Sequence, residues 1–183
     1  MSAADNFPTD AAVVIIGGGV IGCSLAYHLA KAGVEGVLLL ERKRLTCGTT
    51  WHAAGLVPRL RSTPQLTALT DYSVGLYKSL EAETGLATGF RQNGSLGVTL
   101  SAQRLEEFKR LADMGSAIGV EANILTPDEC AEYAPHLNIA DVIGGIFTAD
   151  DGQADPANIA MALAKGARQY GAVLKKTPRL IKF

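Results

Sequence analysis

The feature that most constrains this chain is a short apolar run, Ala12-Val13-Val14-Ile15-Ile16, that breaks directly into Gly17-Gly18-Gly19. A continuous β-branched run bounded by a turn signal suits a strand buried on both faces of a parallel sheet. From Val20 the period changes. Ile21, Leu25 and Leu29 recur every four residues and Gly33 follows Lys31 as a stop, so a helix of about three turns is predicted. Val37 to Leu40 is a second apolar strand, with Glu41 at its carboxyl end.

Within that strand–turn–helix–strand unit, Gly17-Gly18-Gly19-Val20-Ile21-Gly22 satisfies G-x-G-x-x-G. The spacing alone is common, but here it follows a strand, opens a helix and precedes a second strand and an acid, which is the context of a dinucleotide fingerprint. Gly17 allows the tight turn, Gly19 lets the backbone approach a pyrophosphate, and Gly22 lets helix and strand pack closely. Val20 and Ile21 open the helix, whose free N–H groups and positive dipole end favour phosphate. Glu41 lies 24 residues after Gly17 and is placed to accept from ribose hydroxyls, where it would repel a 2′-phosphate. Arg42, next in the chain, is assigned to the same cofactor site. The fingerprint by itself leaves the dinucleotide open and formally admits a nicotinamide cofactor.

Composition removes several other classes. The chain has 183 residues and a formal net charge of −1, so electrostatic capture of nucleic acid or of an anionic membrane is not expected. No apolar run approaches the roughly 18 residues of a transmembrane helix. Met1 to Asp10 carries no Lys or Arg, unlike a signal or transit peptide. Cys23, Cys47 and Cys130 form no disulfide framework or Cys-x-x-Cys pair. The expected location is cytoplasmic, or mitochondrial in a eukaryote. His28 and His136 have no acid or cysteine at ligand spacing, so no metal is expected.

Further along, Pro64 opens a helix to about Glu83, with Gly85 as its stop. Short strands are expected near Gly89–Arg91 and Ser95–Leu100, joined as a hairpin by Asn93-Gly94. Residues 102 to 118 read as an amphipathic helix, and Thr126-Pro127-Asp128-Glu129 as a capping box that starts a short one. Val142 to Thr148 is another strand. Asp155-Pro156 caps a helix ending near Gly171, and Ala172–Leu174 and Arg179–Phe183 are strands. The expected fold is α/β: a doubly wound, Rossmann-like nucleotide domain from residues 1–62 and 150–183, incomplete, with the start of an α+β substrate domain in residues 63–149. Because a doubly wound sheet needs further strands and the pattern stops at Phe183, the chain is expected to be an N-terminal portion.

Residues 42 to 62 have no period, and loops of this length are usually functional. Small residues at 48, 53, 54 and 55 permit close approach to a flat ring, Thr49 and Thr50 can donate to phosphate oxygens, and His52 is the strong nucleophile of the segment. Gly48-Thr49-Thr50-Trp51-His52-Ala53-Ala54-Gly55-Leu56 resembles a motif of the flavin-dependent sarcosine and dimethylglycine dehydrogenases, within the glycine/D-amino-acid oxidase fold group. In that family the motif reads Gly-[Ser/Thr]-Thr-Trp-His-x-Ala-Gly-Leu and its histidine carries FAD covalently. The resemblance extends through Glu83-Thr84-Gly85, Gln92-Asn93-Gly94-Ser95-Leu96, Arg104-Leu105 and Asp151-Gly152 with Asp155-Pro156. Gly55 to Arg61 looks closer to the sarcosine enzymes.

The resemblance implies FAD as cofactor, joined through the His52 imidazole to the flavin 8α-methyl carbon, with Gly48, Thr49, Thr50, Ala54, Gly55 and Leu56 around it. It implies removal of a hydride equivalent from an N-methylated glycine. The iminium product would yield formaldehyde or pass its one-carbon unit to tetrahydrofolate in a separate domain. An electron-transfer flavoprotein is the implied electron acceptor. No catalytic acid or base is assigned within these residues. Two alternatives stand on the same scaffold. One is another amino-acid or amine oxidase of the fold group. The other is a non-catalytic subunit like the pyruvate dehydrogenase phosphatase regulator, which lacks the histidine present here as His52. Arg59 and Arg61 are candidates for a substrate carboxylate, with a solvated loop as the plainer alternative.

Overall fold

A computed structural model describes residues 7–177. The strand expected at Arg179–Phe183 lies outside them. In chain order the elements are β1 (Val13–Ile16), α1 (Val20–Lys31), β2 (Val37–Glu41), a 3-10 turn (Thr49–His52), β3 (Leu56–Val57) and α2 (Pro64–Thr84). There follow β4 (Ser95–Thr99), α3 (Ala102–Ala117), β5 (Asn123–Leu125), α4 (Pro127–Tyr133), β6 (Gly144–Thr148), β7 (Gly152–Gln153), α5 (Pro156–Gln169) and β8 (Val173–Lys176). Among the described residues, no helix is long and apolar enough to cross a membrane.

The chain divides into two compact units. One is drawn from residues up to Gly55, Tyr77–Gly89 and from Asp155 onward; the other is Leu56–Leu76 with Phe90–Ala154. The sequence reading put the breaks at 62 and 150 and left Tyr77–Gly89 in the substrate part. Leu80, fully buried, and Gly166, whose Cβ would lie 2.8 Å from the Tyr27 ring and 3.3 Å from Thr84, show why the end of α2 goes with α1 and α5.

In the first unit β1, β2 and β8 form a parallel sheet in the order β1-β2-β8, with Ile15 opposite Leu39 and Leu39 opposite Leu174. Ile15 and Leu39 are buried, as are the α1 residues Cys23, Ala26, Tyr27 and Ala30 and the α5 residues Ala160, Leu163, Ala164 and Ala167. α1 and α5 pack along each other, and their alanines permit that close approach. Val14 and Ile16 fall on the alternate face of β1 and are exposed. The expected cap of α5 is present: Asp155 Oδ1 accepts from the Asn158 N–H at 2.9 Å.

The second unit holds a three-stranded antiparallel sheet in the order β4-β6-β5 and a two-stranded pair, β3 with β7. The expected hairpin around Asn93-Gly94 is not formed. Ser95–Thr99 pairs instead with β6, and Arg91 makes an isolated bridge to Gln153. The Gly94 N–H donates to the Asp151 carbonyl at 2.9 Å, and the Phe147 ring packs where a Cβ on Gly94 would sit. Tertiary pairing thus overrides a local turn signal. The Thr126–Glu129 capping box is present, with both reciprocal bonds. The short pieces β3, β5, β7 and the 3-10 turn were not anticipated.

One polar cluster ties three helices of the first unit. Tyr27, at the centre of α1, donates to Glu83 Oε1 at 2.7 Å and accepts from Lys31 Nζ at 2.6 Å. Lys31 pairs with Glu83 at 2.9 Å, and Tyr170 donates to Glu83 at 3.1 Å. Burial, offset in part by the Lys31 bond and reinforced by Glu83, pushes the Tyr27 hydroxyl from 10.0 to about 12. A group whose pKa is raised by folding adds stability that is complete below its unfolded value and is lost as pH rises through its folded value. Urea denaturation followed by circular dichroism is therefore expected to show stability falling between pH 10.0 and about 12, and falling less steeply in Tyr27→Phe. An equally steep fall in that variant would remove Tyr27 as the cause.

Candidate functional site

The site begins at the bend between β1 and α1. Gly17 has φ +109°, a region that L side chains rarely adopt, and its N–H donates to the Leu40 carbonyl at 2.8 Å. One turn into the helix, a Cβ on Gly22 would lie 2.0 Å from the Gly17 carbonyl oxygen. Only glycine fits there, so the helix starts directly over the end of its own strand. Gly18 is less constrained, since its hypothetical Cβ meets the Leu45 methyl at 2.4 Å and that side chain can move.

Two long-range bonds hold the turn. The Gly18 N–H donates to Glu41 Oε2 at 2.7 Å, while the Lys43 N–H donates to Glu41 Oε1 at 2.8 Å. Partial burial pushes the Glu41 carboxyl up, but the Lys43 and Gly18 N–H groups and the nearby Arg42 outweigh it, so its pKa lies below the ordinary value. Thr50 Oγ1 accepts from the Val20 N–H at 2.9 Å, across 30 residues. Gly19, the N-cap of α1, has no side chain with which to cap. Among the described residues, the N–H groups of Gly19, Ile21 and Gly22 have no protein acceptor.

These groups line a cavity of about 800 Å³. Around it the structure gathers Gly17, Gly19, Val20, Ile21, Gly22, Glu41, Arg42, Gly48, Thr49 and Thr50. It also adds lining residues that the sequence did not point to, among them Val14, Ile16, Gly18, Leu25, Lys43 and Cys47, together with Ala53 of the small-residue segment. Gly18 carried a signal in the glycine triplet, and Val14 and Ile16 in the alternation of β1. Cys47 carried none beyond its place before the motif. The dimensions and chemistry suit a dinucleotide: a helix N-terminus with open donors, a carboxylate at the second strand, and an apolar wall from exposed Val14, Ile16 and Ile21.

His52, Ala54, Gly55 and Leu56 are not among the lining residues, and Leu56 belongs to the second unit. His52 is exposed at the end of the 3-10 turn, its ring against that of Trp51 with centroids 4.1 Å apart and planes tilted by 39°. Trp51 is itself 59% exposed, so it is not a core residue in this chain. Arg59 is not free to read a carboxylate. Within the second unit it pairs with Asp71 at 2.6 Å and with Asp150, while its N–H donates to Asp151 Oδ1 at 2.7 Å. The Arg61 N–H donates to Thr67 Oγ1, and its side chain is exposed.

Comparison with known proteins agrees with this geometry. The DAO family, described as FAD dependent oxidoreductase, matches residues 12–179. Human mitochondrial sarcosine dehydrogenase is 46% identical over 173 residues, 93% of this chain and 19% of that protein. Mitochondrial dimethylglycine dehydrogenase of Rattus norvegicus is 44% identical over 90% of this chain and 19% of that protein. This chain therefore spans less than a quarter of the length of either relative. The crystal structure of L-proline dehydrogenase from P. horikoshii superposes with a TM-score of 0.85 at 31% identity, covering 93% of this chain and 45% of that one.

The contacts of the two glycines predict unequal costs. Gly22→Ala is expected to destabilise by about 3 kcal/mol, because the obstacle is backbone, and Gly18→Ala by about 1 kcal/mol, because a Leu45 methyl can swing aside. Urea midpoints of the two variants check this, and equal losses would show that the bend is not the rigid element described.

Proposed function

This chain belongs to the DAO family of FAD-dependent oxidoreductases, and from that premise we propose that it holds the ADP half of FAD in a longer protein that oxidatively demethylates an N-methylated glycine. The observation that carries the reading is the single cavity that brings together the glycine bend, the open first turn of α1, Glu41 and the Gly48–Thr50 segment.

The residues fit such a group. The N–H groups of Gly19, Ile21 and Gly22 would receive the pyrophosphate, which the α1 dipole favours. Glu41 Oε1 accepts from the Lys43 N–H and, at 4.0 Å, from the Cys47 thiol, while Oε2 accepts from the Gly18 N–H and retains a lone pair for a ribose hydroxyl. Its lowered pKa keeps it ionised for that task and unfavourable to a 2′-phosphate. Gly48 and Thr49 would border the ligand as it continues from the helix. When bound, FAD supplies the two-electron acceptor for a hydride equivalent taken from the substrate N-methyl group. The chain's own part is to bind, orient and exclude water from that cofactor.

His52 is proposed as the point of covalent attachment, its imidazole nitrogen bonded to the flavin 8α-methyl carbon, with Ala54, Gly55 and Leu56 beside it. The motif Gly48 to Leu56 supports this, and the exposure of His52 leaves the ring accessible. The sequence division, residues 1–62 and 150–183 for the cofactor and 63–149 for the start of the substrate side, is proposed with its breaks moved to those of the two compact units, so that Tyr77–Gly89 serves the cofactor part. The substrate is proposed as sarcosine or dimethylglycine, with electrons leaving to an external acceptor such as an electron-transfer flavoprotein and the one-carbon unit going to tetrahydrofolate or formaldehyde. The free thiols of Cys23, Cys47 and Cys130 suit a reducing compartment, cytoplasmic or mitochondrial.

A second reading, a dehydrogenase of another secondary amino acid, is supported by the likeness to L-proline dehydrogenase. Proline and sarcosine share a secondary amine next to a carboxylate. Acid denaturation of the longer protein is expected to leave yellow flavin in the protein pellet, and His52→Ala to release it to the supernatant. Retention of flavin by the pellet in His52→Ala would exclude attachment at that residue. Reduction of the flavin by sarcosine, dimethylglycine or proline then separates the substrates.

A further inference from the structure

The bond from Val20 to Thr50 joins two segments that the cofactor would meet separately. Val20 is the first helical residue of α1, and Thr50 lies in the 3-10 turn that carries Trp51 and His52. Thr50 is the turn's one buried residue, 8% exposed against 59% for Trp51. It therefore anchors the turn while the two exposed rings lie against each other, centroids 4.1 Å apart and planes tilted by 39°. The fit at the anchor is tight, since a Cβ on Gly19 would lie 3.0 Å from Thr50 Oγ1. The Ala53 N–H donates to the Thr50 carbonyl at 3.2 Å and closes the turn around the anchored residue.

We propose that Thr50 is a positioning residue: its hydroxyl transmits occupation of the α1 N-terminus to the Trp51–His52 ring pair. Thr50 caps the helix from a distance, replacing the side chain that Gly19 lacks. It occupies the Val20 donor and leaves the N–H groups of Gly19, Ile21 and Gly22 for phosphate. A phosphate drawn to those three groups acts on the same helical turn that holds Thr50. Any adjustment of the first turn therefore moves the base of the 3-10 turn, and the contacting ring pair follows. The link is made by the Thr50 oxygen. The inference rests on the nucleotide reading of the cavity and adds a role within it.

The chain carries one tryptophan, so Trp51 emission reports on this turn alone. ADP serves as the probe, because it offers the phosphates and ribose without a flavin to quench or absorb. Calorimetry measures its binding to the 183-residue chain independently of fluorescence. The expected result is that ADP binds and shifts Trp51 emission in the parent chain and in Thr50→Ser, which keeps the hydroxyl. Thr50→Val keeps the shape without the oxygen; at ADP concentrations that calorimetry shows to saturate it, whatever its affinity, the emission response is expected to be lost. Val20→Pro breaks the link from the other side, since proline suits the first helical position and lacks only the N–H. It covers the case in which Thr50→Val does not fold, and its response is likewise expected to be lost. A full emission response in either folded variant would overturn the proposal, as would ADP binding to the parent with no response. Failure of ADP to bind the parent chain would overturn the nucleotide reading itself, and the inference with it.

Discussion

The approach of Gly22 to the Gly17 carbonyl governs the rest of the first unit. At 2.0 Å from a hypothetical Cβ, that oxygen leaves no alternative residue and no alternative path for α1. Starting the helix over the end of β1 sets the line along which it meets α5. It also leaves the first-turn N–H groups at the carboxyl edge of a parallel sheet, where α/β folds place their ligands. The two bonds that follow, Gly18 to Glu41 and Val20 to Thr50, are consequences of where that bend puts the backbone. Each recruits a later segment of chain to the same edge, first the end of β2 and then the 3-10 turn.

The second unit is organised differently, around charge rather than a close backbone contact. Arg59 gathers Asp71 and Asp150, while Asp151, 5% exposed, accepts from the Arg59 N–H and from Ser95 Oγ at 2.5 Å. Four separate stretches of chain are thereby joined at one point. Asp151 is the buried member of this set, so removing the Arg59 N–H or Ser95 hydroxyl contact would cost more than breaking the Asp71 pair, where solvent reaches half of the carboxylate side chain.

Much of this was legible in the sequence because the signals were local. The change of period at Val20, the glycine spacing and the Thr126–Glu129 box each act over one or two turns of chain, and each element formed where expected. The fold class was likewise readable, since a strand, a glycine turn, a helix and a second strand admit few arrangements. What could not be read depended on partners far away in sequence. Asn93-Gly94 is a strong hairpin signal, yet Ser95–Thr99 found its partner in β6 instead. Arg59 read as a candidate carboxylate ligand until its three acids came together from positions 71, 150 and 151. Glu41 and Thr50 were placed at the site by sequence, but their bonds to Gly18 and Val20 span 23 and 30 residues and leave no local trace. Cys47 entered the cavity wall with no pattern to announce it.

The order of the parallel sheet has a consequence for synthesis. β8 joins the sheet by pairing with β2, yet 131 residues lie between Glu41 and Val173, and the whole second unit lies within that interval. At a translation rate of roughly 5–20 residues per second, β2 waits on the order of 10 s for its neighbour. During that time its apolar residues Val37 to Leu40 and the inner face of α1 have neither β8 nor α5 to cover them. The emerging chain therefore presents a sticky edge to the ribosome surface and to chaperones. Loop closure of this length makes this pairing slow, so the β1–α1–β2 segment, made first, is covered by β8 and α5 only after the second unit has been synthesised.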